Sequence, residues 1–262
     1  SEEITIGDLV KLISGIIGVE VEVISDGQRI RPDKSEVERL FCNNEKIKGN
    51  GKVISEKRTT ASYDGIAITG FFDVELVSGK EGNITIKGEE NLLPYIKVEV
   101  VDKVLKISTE KNKYISTSKG SEIVIVVPFE SIDQVSLTGS GDVVTKNSIK
   151  SKSFSAKLIG SGDMNLDVES NDFDVNLSGS GDMVLTGKTE NFNSNLNGSG
   201  DIDAGDLKAK NAKITVSGSG DSKVFCSESL YARVSGSGDI EYIGDPKKKD
   251  TKVNGSGAIS RA

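Results

Sequence analysis

Between residues 131 and 262 apolar and polar side chains alternate one for one on both sides of recurring glycines. The tetrad Gly-Ser-Gly-Asp begins at Gly139, Gly160, Gly179, Gly198, Gly218 and Gly236, and Gly-Ser-Gly-Ala begins at Gly255. The intervals are 21, 19, 19, 20, 18 and 19 residues. Counting from the first glycine, positions −6, −4, −2, +4 and +6 tend to be apolar. Around Gly179 these are Phe173, Val175, Leu177, Met183 and Leu185, and around Gly236 they are Leu230, Ala232, Val234, Ile240 and Tyr242. A period of two on both sides of a turn predicts strand, turn, strand with one face buried. A unit of about 19 residues is too short to add a helix. The fold class is therefore all-β. An antiparallel hairpin array would tolerate a different turn at each repeat, whereas a solenoid stacks equivalent residues of successive coils about 4.8 Å apart and needs the same corner every time. The invariant tetrad favours a parallel β-solenoid (β-helix), right-handed as parallel crossovers generally are. Six steps would stand roughly 29 Å tall.

Stacked coils bring backbones close, and a tight corner needs positive φ, which glycine reaches without a steric penalty. This assigns structural corners to Gly139 and Gly141, Gly160 and Gly162, Gly179 and Gly181, Gly198 and Gly200, Gly218 and Gly220, Gly236 and Gly238, and Gly255 and Gly257. Serine and aspartate can close such a turn on the local backbone. Stacking also places Asp142, Asp163, Asp182, Asp201, Asp221 and Asp239 in one column of like charge. Neighbours at about 4.8 Å repel by roughly 0.9 kcal/mol in water. Hydrogen bonds, the nearby Lys146, Lys157, Lys188, Lys213 and Lys223, or a bound cation must offset that. Calcium takes carboxylate oxygens, so the six aspartates are candidate ligands of a cation ladder. The nine-residue calcium repeat would recur twice per coil, yet one glycine corner per coil is visible. Glycoside cleavage by the same column needs two carboxylates in different environments, which identical repeats do not supply.

Residues 65–130 carry strand-like runs at 66–68, 73–77, 83–86, 96–101, 104–107 and 122–127, separated by turn signals such as Ser78-Gly79-Lys80. Here Thr69-Gly70-Phe71-Phe72-Asp73-Val74 reads as a degenerate copy of Thr138-Gly139-Ser140-Gly141-Asp142-Val143. A solenoid needs protected ends, so this segment is expected to be a cap or the first, longer coils. The run Gly65-Ile66-Ala67-Ile68-Thr69-Gly70-Phe71-Phe72-Asp73-Val74, then Glu90-Asn91-Leu92-Leu93-Pro94-Tyr95-Ile96, then the tetrad series, resembles the putative auto-transporter adhesin, head GIN domain family. The resemblance covers roughly residues 48–262. It implies an exported or surface-associated bacterial β-helical protein with a proposed part in adhesion, and it carries over no catalytic residues.

Residues 1–46 have a different character. Thr5 and Asp8 stand at capping-box spacing before apolar Leu9, Leu12, Ile13, Ile16 and Ile17, a helical face. A strand over 19–24 follows, and Ser35-Glu36-Val37-Glu38 after Pro32 starts a second helical piece. This gives a small α/β appendage, with 47–64 as linker, 65–130 as the N-terminal β part and 131–262 as the repeat solenoid. Ile4-Thr5-Ile6-Gly7-Asp8-Leu9 and Arg29-Ile30-Arg31-Pro32-Asp33-Lys34-Ser35-Glu36-Val37 resemble the C-terminal, substrate-side portion of NAD-dependent sugar-nucleotide epimerases and dehydratases of the extended short-chain dehydrogenase family. That resemblance implies Arg29 and Arg31 as remnants of a nucleotide-sugar site. The cofactor fingerprint of such enzymes, G-x-G-x-x-G between a strand and a helix, is absent from this sequence. An enzyme acting on nucleotide sugars through this segment is therefore the lesser expectation.

Composition narrows the function further. Apolar residues are 35%, and 29 glycines among 262 residues bring the total into the globular range. A net charge of −7 gives no surface for nucleic-acid phosphates. The absence of histidine excludes Ser-His-Asp and Cys-His nucleophiles and imidazole zinc sites. Cys42 and Cys226 belong to no CxxC motif. The apolar stretch 9–24 is broken by Lys11, Glu20 and Glu22, so no membrane span is expected. The chain opens on Ser1 rather than Met, which is compatible with removal of an export signal. The expectation is a non-enzymatic surface or periplasmic module without cofactor, calcium apart. Its outward rows, among them Asn165, Asn176, Asn195 and Thr215, would meet a polysaccharide or cell-envelope polymer. Its solenoid ends or faces would offer routes to a homo-oligomer.

Overall fold

The structure, a computed structural model, describes residues 21–24, 39–42 and 45–262. Two compact units are present: residues 1–47 with 111–114, and residues 48–110 with 115–262. In the first, strands Val21–Ile24 and Arg39–Cys42 pair antiparallel. The strand at Arg39–Cys42, paired with Val21–Ile24, corrects the helical reading of this stretch. The helical readings over 5–17 and 35–38, and Arg29 and Arg31, lie outside the described residues.

The second unit is the solenoid. Each full coil enters the corner along one strand run, turns at Gly-Ser-Gly-Asp, and leaves along another. We call the two runs the approach face and the exit face. Strands Met164–Gly179, Met183–Gly198, Ile202–Gly218 and Ser222–Gly236 each contain an exit run and the next approach run, with a bend near residues 170–171 and their equivalents. All of their mutual pairings are parallel and in register at the corner, Gly160 opposite Gly179, then Gly198, Gly218, Gly236 and Gly255. Unequal repeat lengths are absorbed elsewhere. The 20-residue interval takes its extra residue between Asp203 and Asp206, where the register against Val184 and Thr186 shifts, and the 21-residue interval has its extra residues between Thr145 and Ile149. The corner column is thereby kept straight.

The alternation places its apolar members inside. Phe154, Phe173 and Phe192 form one internal column with ring centroids 5.6 and 5.7 Å apart. Leu158 and Leu177 stand in a second, and Met164, Met183, Ile202 and Ile240 in a third that Ser222 interrupts, these six apolar residues all at 1% exposure or less. Parallel stacking makes this possible without side-chain mismatch, because each residue lies over its own equivalent.

Residues 48–130 provide both a first coil and a cap. Gly65–Gly70 pairs in parallel with Gln134–Gly139, setting Thr69 beside Thr138 and Gly70 beside Gly139. Asp73–Ser78 lies under Val143–Thr145 in the same way. Below this coil Val104–Thr109 and Val124–Phe129 still pair in parallel, with Gly65–Gly70 and Asp73–Ser78 respectively, and beyond them the pairing turns antiparallel: Ile96–Val101 on Val104–Thr109, and Val53–Thr59 on Asn83–Glu89. The segment 47–64 is thus corrected from linker to a region containing a cap strand. The run 90–96 forms a short 3-10 turn at Leu93–Tyr95, with Leu92 and Leu93 buried. Arg58 holds the cap by donating from its guanidinium to the carbonyls of Leu93 (2.6 Å) and Ile96. Glu89, fully buried, accepts from the backbone amides of Ser118 (2.8 Å) and Gly51. Burial alone would raise its pKa, but these amides and the Ser118 hydroxyl outweigh it and hold the carboxyl below its ordinary value.

Candidate binding surface

The site is best built upward from the corner. The first glycine of each tetrad has positive φ, +130° to +140° from Gly139 to Gly255. The second does not, yet it is no more replaceable: a Cβ on Gly181 would lie 1.9 Å from the carbonyl oxygen of Gly162 one rung away. That oxygen distance recurs at Gly162, Gly200 and Gly220. The close approach is what the hydrogen bonding requires. The Gly160 carbonyl accepts from both Ser180 N–H (2.9 Å) and Gly181 N–H (3.2 Å), and the same fork repeats at Gly139, Gly179, Gly198, Gly218 and Gly236.

The aspartates then complete the turn. The backbone N–H of each donates to Oδ1 of the aspartate one rung before it. The series runs Asp142 to Asp73, Asp163 to Asp142, Asp182 to Asp163, Asp201 to Asp182, Asp221 to Asp201 and Asp239 to Asp221, at 3.2, 3.1, 2.9, 2.8, 2.7 and 2.7 Å. Ala258 donates the last bond, at 2.7 Å to Asp239, and has no carboxylate to extend the series. Asp73 is a seventh member that the tetrad pattern missed, because Phe71 and Phe72 stand where serine and glycine stand elsewhere. Its signal was the degenerate copy at 69–74. Its pKa is raised, chiefly by burial and further by the charges of Asp142 and Glu122.

The six predicted aspartates therefore do share one column, and each is tied to a backbone amide. The lysines are placed differently from expectation. Lys146 pairs with Glu75 (3.1 Å), Lys188 with Glu169 (3.1 Å) and Lys223 with Glu241 (3.3 Å), all away from the corner. Among the described residues no group of three or more Asp, Glu, Cys or His side chains converges as a metal site. Cys226 is buried and unpaired, and burial pushes its thiol up to about 11, leaving it unreactive at neutral pH.

The approach face carries continuous polar columns. Its outward columns follow the register: Asn176, Asn195, Thr215, Arg233, Lys252; then Asp174, Asn193, Lys213, Tyr231, Asp250; then Asp172, Asn191, Asn211, Ser229, Lys248. Side-chain amides link the rungs. Asn191 Nδ2 donates to Asp172 Oδ1 and Asn193 Nδ2 to Asp174 Oδ1, both at 2.8 Å. Asn211 Nδ2 donates to Asn191 Oδ1 at 3.1 Å, and Ser229 Oγ to Asn211 Oδ1 at 2.6 Å. Of the four outward residues singled out from sequence, Asn176, Asn195 and Thr215 share one column, while Asn165 lies on the exit face beside Val144 and Val184. The reading missed Tyr231 and Arg233, although both occupy outward positions of the same alternation. The Arg233 guanidinium carbon lies 3.8 Å from the Tyr231 ring centroid, and its Nη2 bonds Asp250 at 2.9 Å.

Comparison with solved structures returns the same architecture. A putative adhesin from Bacteroides fragilis NCTC 9343 is 25% identical with a TM-score of 0.75, covering 82% of this chain and all of that one. A putative lipid binding protein from Parabacteroides distasonis ATCC 8503 is 24% identical with a TM-score of 0.69, covering 83% of this chain and all of that one. A putative adhesin from the same organism is 22% identical, also with a TM-score of 0.69, over 83% of this chain and all of that one. At these identities the latter two show a shared fold. No curated protein matches the chain. Nothing in these similarities supports an epimerase or dehydratase origin for residues 1–46, which stand outside the matched segment. Residues 62–246 match the model of the family described as putative auto-transporter adhesin, head GIN domain, and the chain belongs to that family.

Proposed function

We propose that this protein is a non-catalytic adhesion module of the bacterial surface or periplasm, and that its approach face binds an extended, hydroxyl-rich polymer such as a polysaccharide. The observation that carries this reading is the set of in-register columns of carboxamide, hydroxyl and charged side chains, repeated rung by rung on one parallel sheet. A polymer with a regular repeat can make the same contact several times, so weak individual hydrogen bonds add up without any deep pocket. The family supports the reading through its adhesin description and through the export such a role requires. The side-chain ladders favour it too, because they hold the amides in fixed orientations before a ligand arrives. We read the Asp column as serving the fold, since each of the six tetrad aspartates accepts the same backbone N–H bond from the following rung.

The test is a polysaccharide array together with sedimentation on isolated cell-wall fractions. Binding is expected to weaken in Asn176→Ala/Asn195→Ala/Thr215→Ala and to be unchanged in Asn165→Ala. Failure to bind any polymer, or equal loss in both variants, would overturn the reading.

A further inference from the structure

Charge is not spread evenly over the approach face. On the rungs ending at Gly179 and Gly198 the outward charged side chains are Asp172 and Asp174, and both carboxylates are occupied by asparagine amides from the next rung. In these columns, on the three rungs ending at Gly218, Gly236 and Gly255, the outward charged set is Lys213, Arg233, Lys248 and Lys252 against Asp250, with Glu228 exposed just before Ser229. Arg233 satisfies Asp250 (2.9 Å), and among the described residues Lys213, Lys248 and Lys252 form no ion pair. A local excess of cations on a chain of net charge −7 is a focused field. Within this patch stands Tyr231, 38% exposed, its ring covered by Arg233 at 3.8 Å with Lys213 at 5.9 Å. The Tyr–Arg stack and the Asp250 bond fix Arg233 in place, while the three lysines keep their ammonium groups in solvent.

We infer that the last three rungs of the approach face form a subsite for an acidic polysaccharide, one whose sugars carry carboxylates along the chain. This deepens the polymer-binding reading and rests on it. Lys213, Lys248 and Lys252 meet the carboxylates, and Asn211, Thr215, Ser217 and Ser229 meet the hydroxyls between them. The argument is geometric. Residues 213, 231 and 250 are stacked in one column and residues 215, 233 and 252 in the next, so cations lie on successive rungs about one strand spacing apart, along the axis a chain-like ligand would follow. Exposed ion pairs are individually weak, so affinity comes from several together and falls with added salt.

The experiment measures binding of the full chain to alginate, a polyuronate, beside neutral dextran and a polyphosphate, at low and at raised ionic strength. The expected result is preference for alginate over dextran, weakening with salt. Lys213→Gln/Lys248→Gln/Lys252→Gln is expected to bind alginate roughly tenfold more weakly, since three weak contacts are lost together. Lys150→Gln/Lys188→Gln, which changes exposed lysines around Glu169 on the exit run, is expected to bind as the parent does. Melting of both variants at the parent temperature shows that the fold is intact. Equal binding of dextran and alginate, or an undiminished triple variant, overturns the subsite while leaving the polymer-binding face standing. Stronger binding of polyphosphate than of alginate reassigns the patch to phosphate groups and also overturns it. No binding to any polymer overturns both readings.

Discussion

At the residue scale, the decisive chemistry is the lack of side-chain atoms. Gly181 has no positive φ, so its identity comes from contact alone: a methyl group there would enter the Gly162 carbonyl at 1.9 Å. That oxygen is part of a rung already bonded on both sides, so relief requires parting two coils. Gly181→Ala is expected to cost ~3 kcal/mol or more, or to prevent folding. Gly120→Ala, where φ is +83° and no atom lies within 4 Å of the added carbon, should cost only ~1 kcal/mol. Thermal unfolding of the two variants checks the contrast. The interior offers the opposite case. Ser222 occupies an inward position between Ile202 and Ile240, 2% exposed, and its Oγ has no hydrogen-bond partner. Ser222→Ala removes a desolvated hydroxyl at little loss of volume and should stabilise the protein by ~1 kcal/mol, raising Tm by about 2–4 °C.

At the element scale the corner behaves as one unit, glycine for approach and aspartate for closure. If the aspartates serve as acceptors, Asp201→Ala, which strips the acceptor from Asp221 N–H, should cost ~1 kcal/mol. Asp201→Asn keeps an Oδ1 and relaxes the repulsion of its neighbours, so it should melt close to the parent, and a chelator should leave Tm unchanged. A calcium ladder would reverse both outcomes, with Asn as harmful as Ala and Tm falling on chelation. This element was legible in sequence because the stack repeats it, and even Gly70 and Asp73 could be found from their flanking Thr69 and Val74. The hydrogen bond itself was not legible, since spacing gives the column but not which atom each carboxylate meets. Elements outside the repeat were harder to read. Strand Val53–Thr59 has no fully buried residue, its side chains alternating between exposed and half-buried, so no apolar row announced it. Arg39–Cys42 was read as helix because four residues cannot separate a period of two from one of 3.6. The approach face was half legible. Outward positions, and the separate arms of Asn165 and Asn176, followed from the alternation and the tetrads, but spacing did not show which outward side chains would stack, as Arg233 does on Tyr231.

At the scale of the molecule, a stack in which each coil touches only its neighbours is a nearly one-dimensional object whose two ends are closed differently. At the N-terminal end the pairing passes from parallel to antiparallel within the cap, and Glu89 is buried there with its pKa depressed. A carboxyl with a lowered folded pKa contributes stability that is complete above its unfolded value, about 4.3, and is lost as pH falls through the folded one. Glu89→Gln should therefore lower Tm at pH 7 and flatten the acid limb of the stability curve. Asp73, with its pKa raised, acts in the opposite sense and becomes less unfavourable as pH falls through that value. At the other end the last described rung, Lys248–Gly255 with Ile259–Arg261, pairs on one side only, and every residue of Lys248–Gly255 is exposed. Because coil stability is a sum of nearest-neighbour terms, a rung with one neighbour opens more readily than a rung with two. Amide hydrogen exchange followed by mass spectrometry should show residues 248–261 exchanging first and the Phe173 and Phe192 rungs last, with protection rising inward from the C-terminal edge. Uniform protection along the stack would mean that all coils open together, and the nearest-neighbour account of its stability would be wrong.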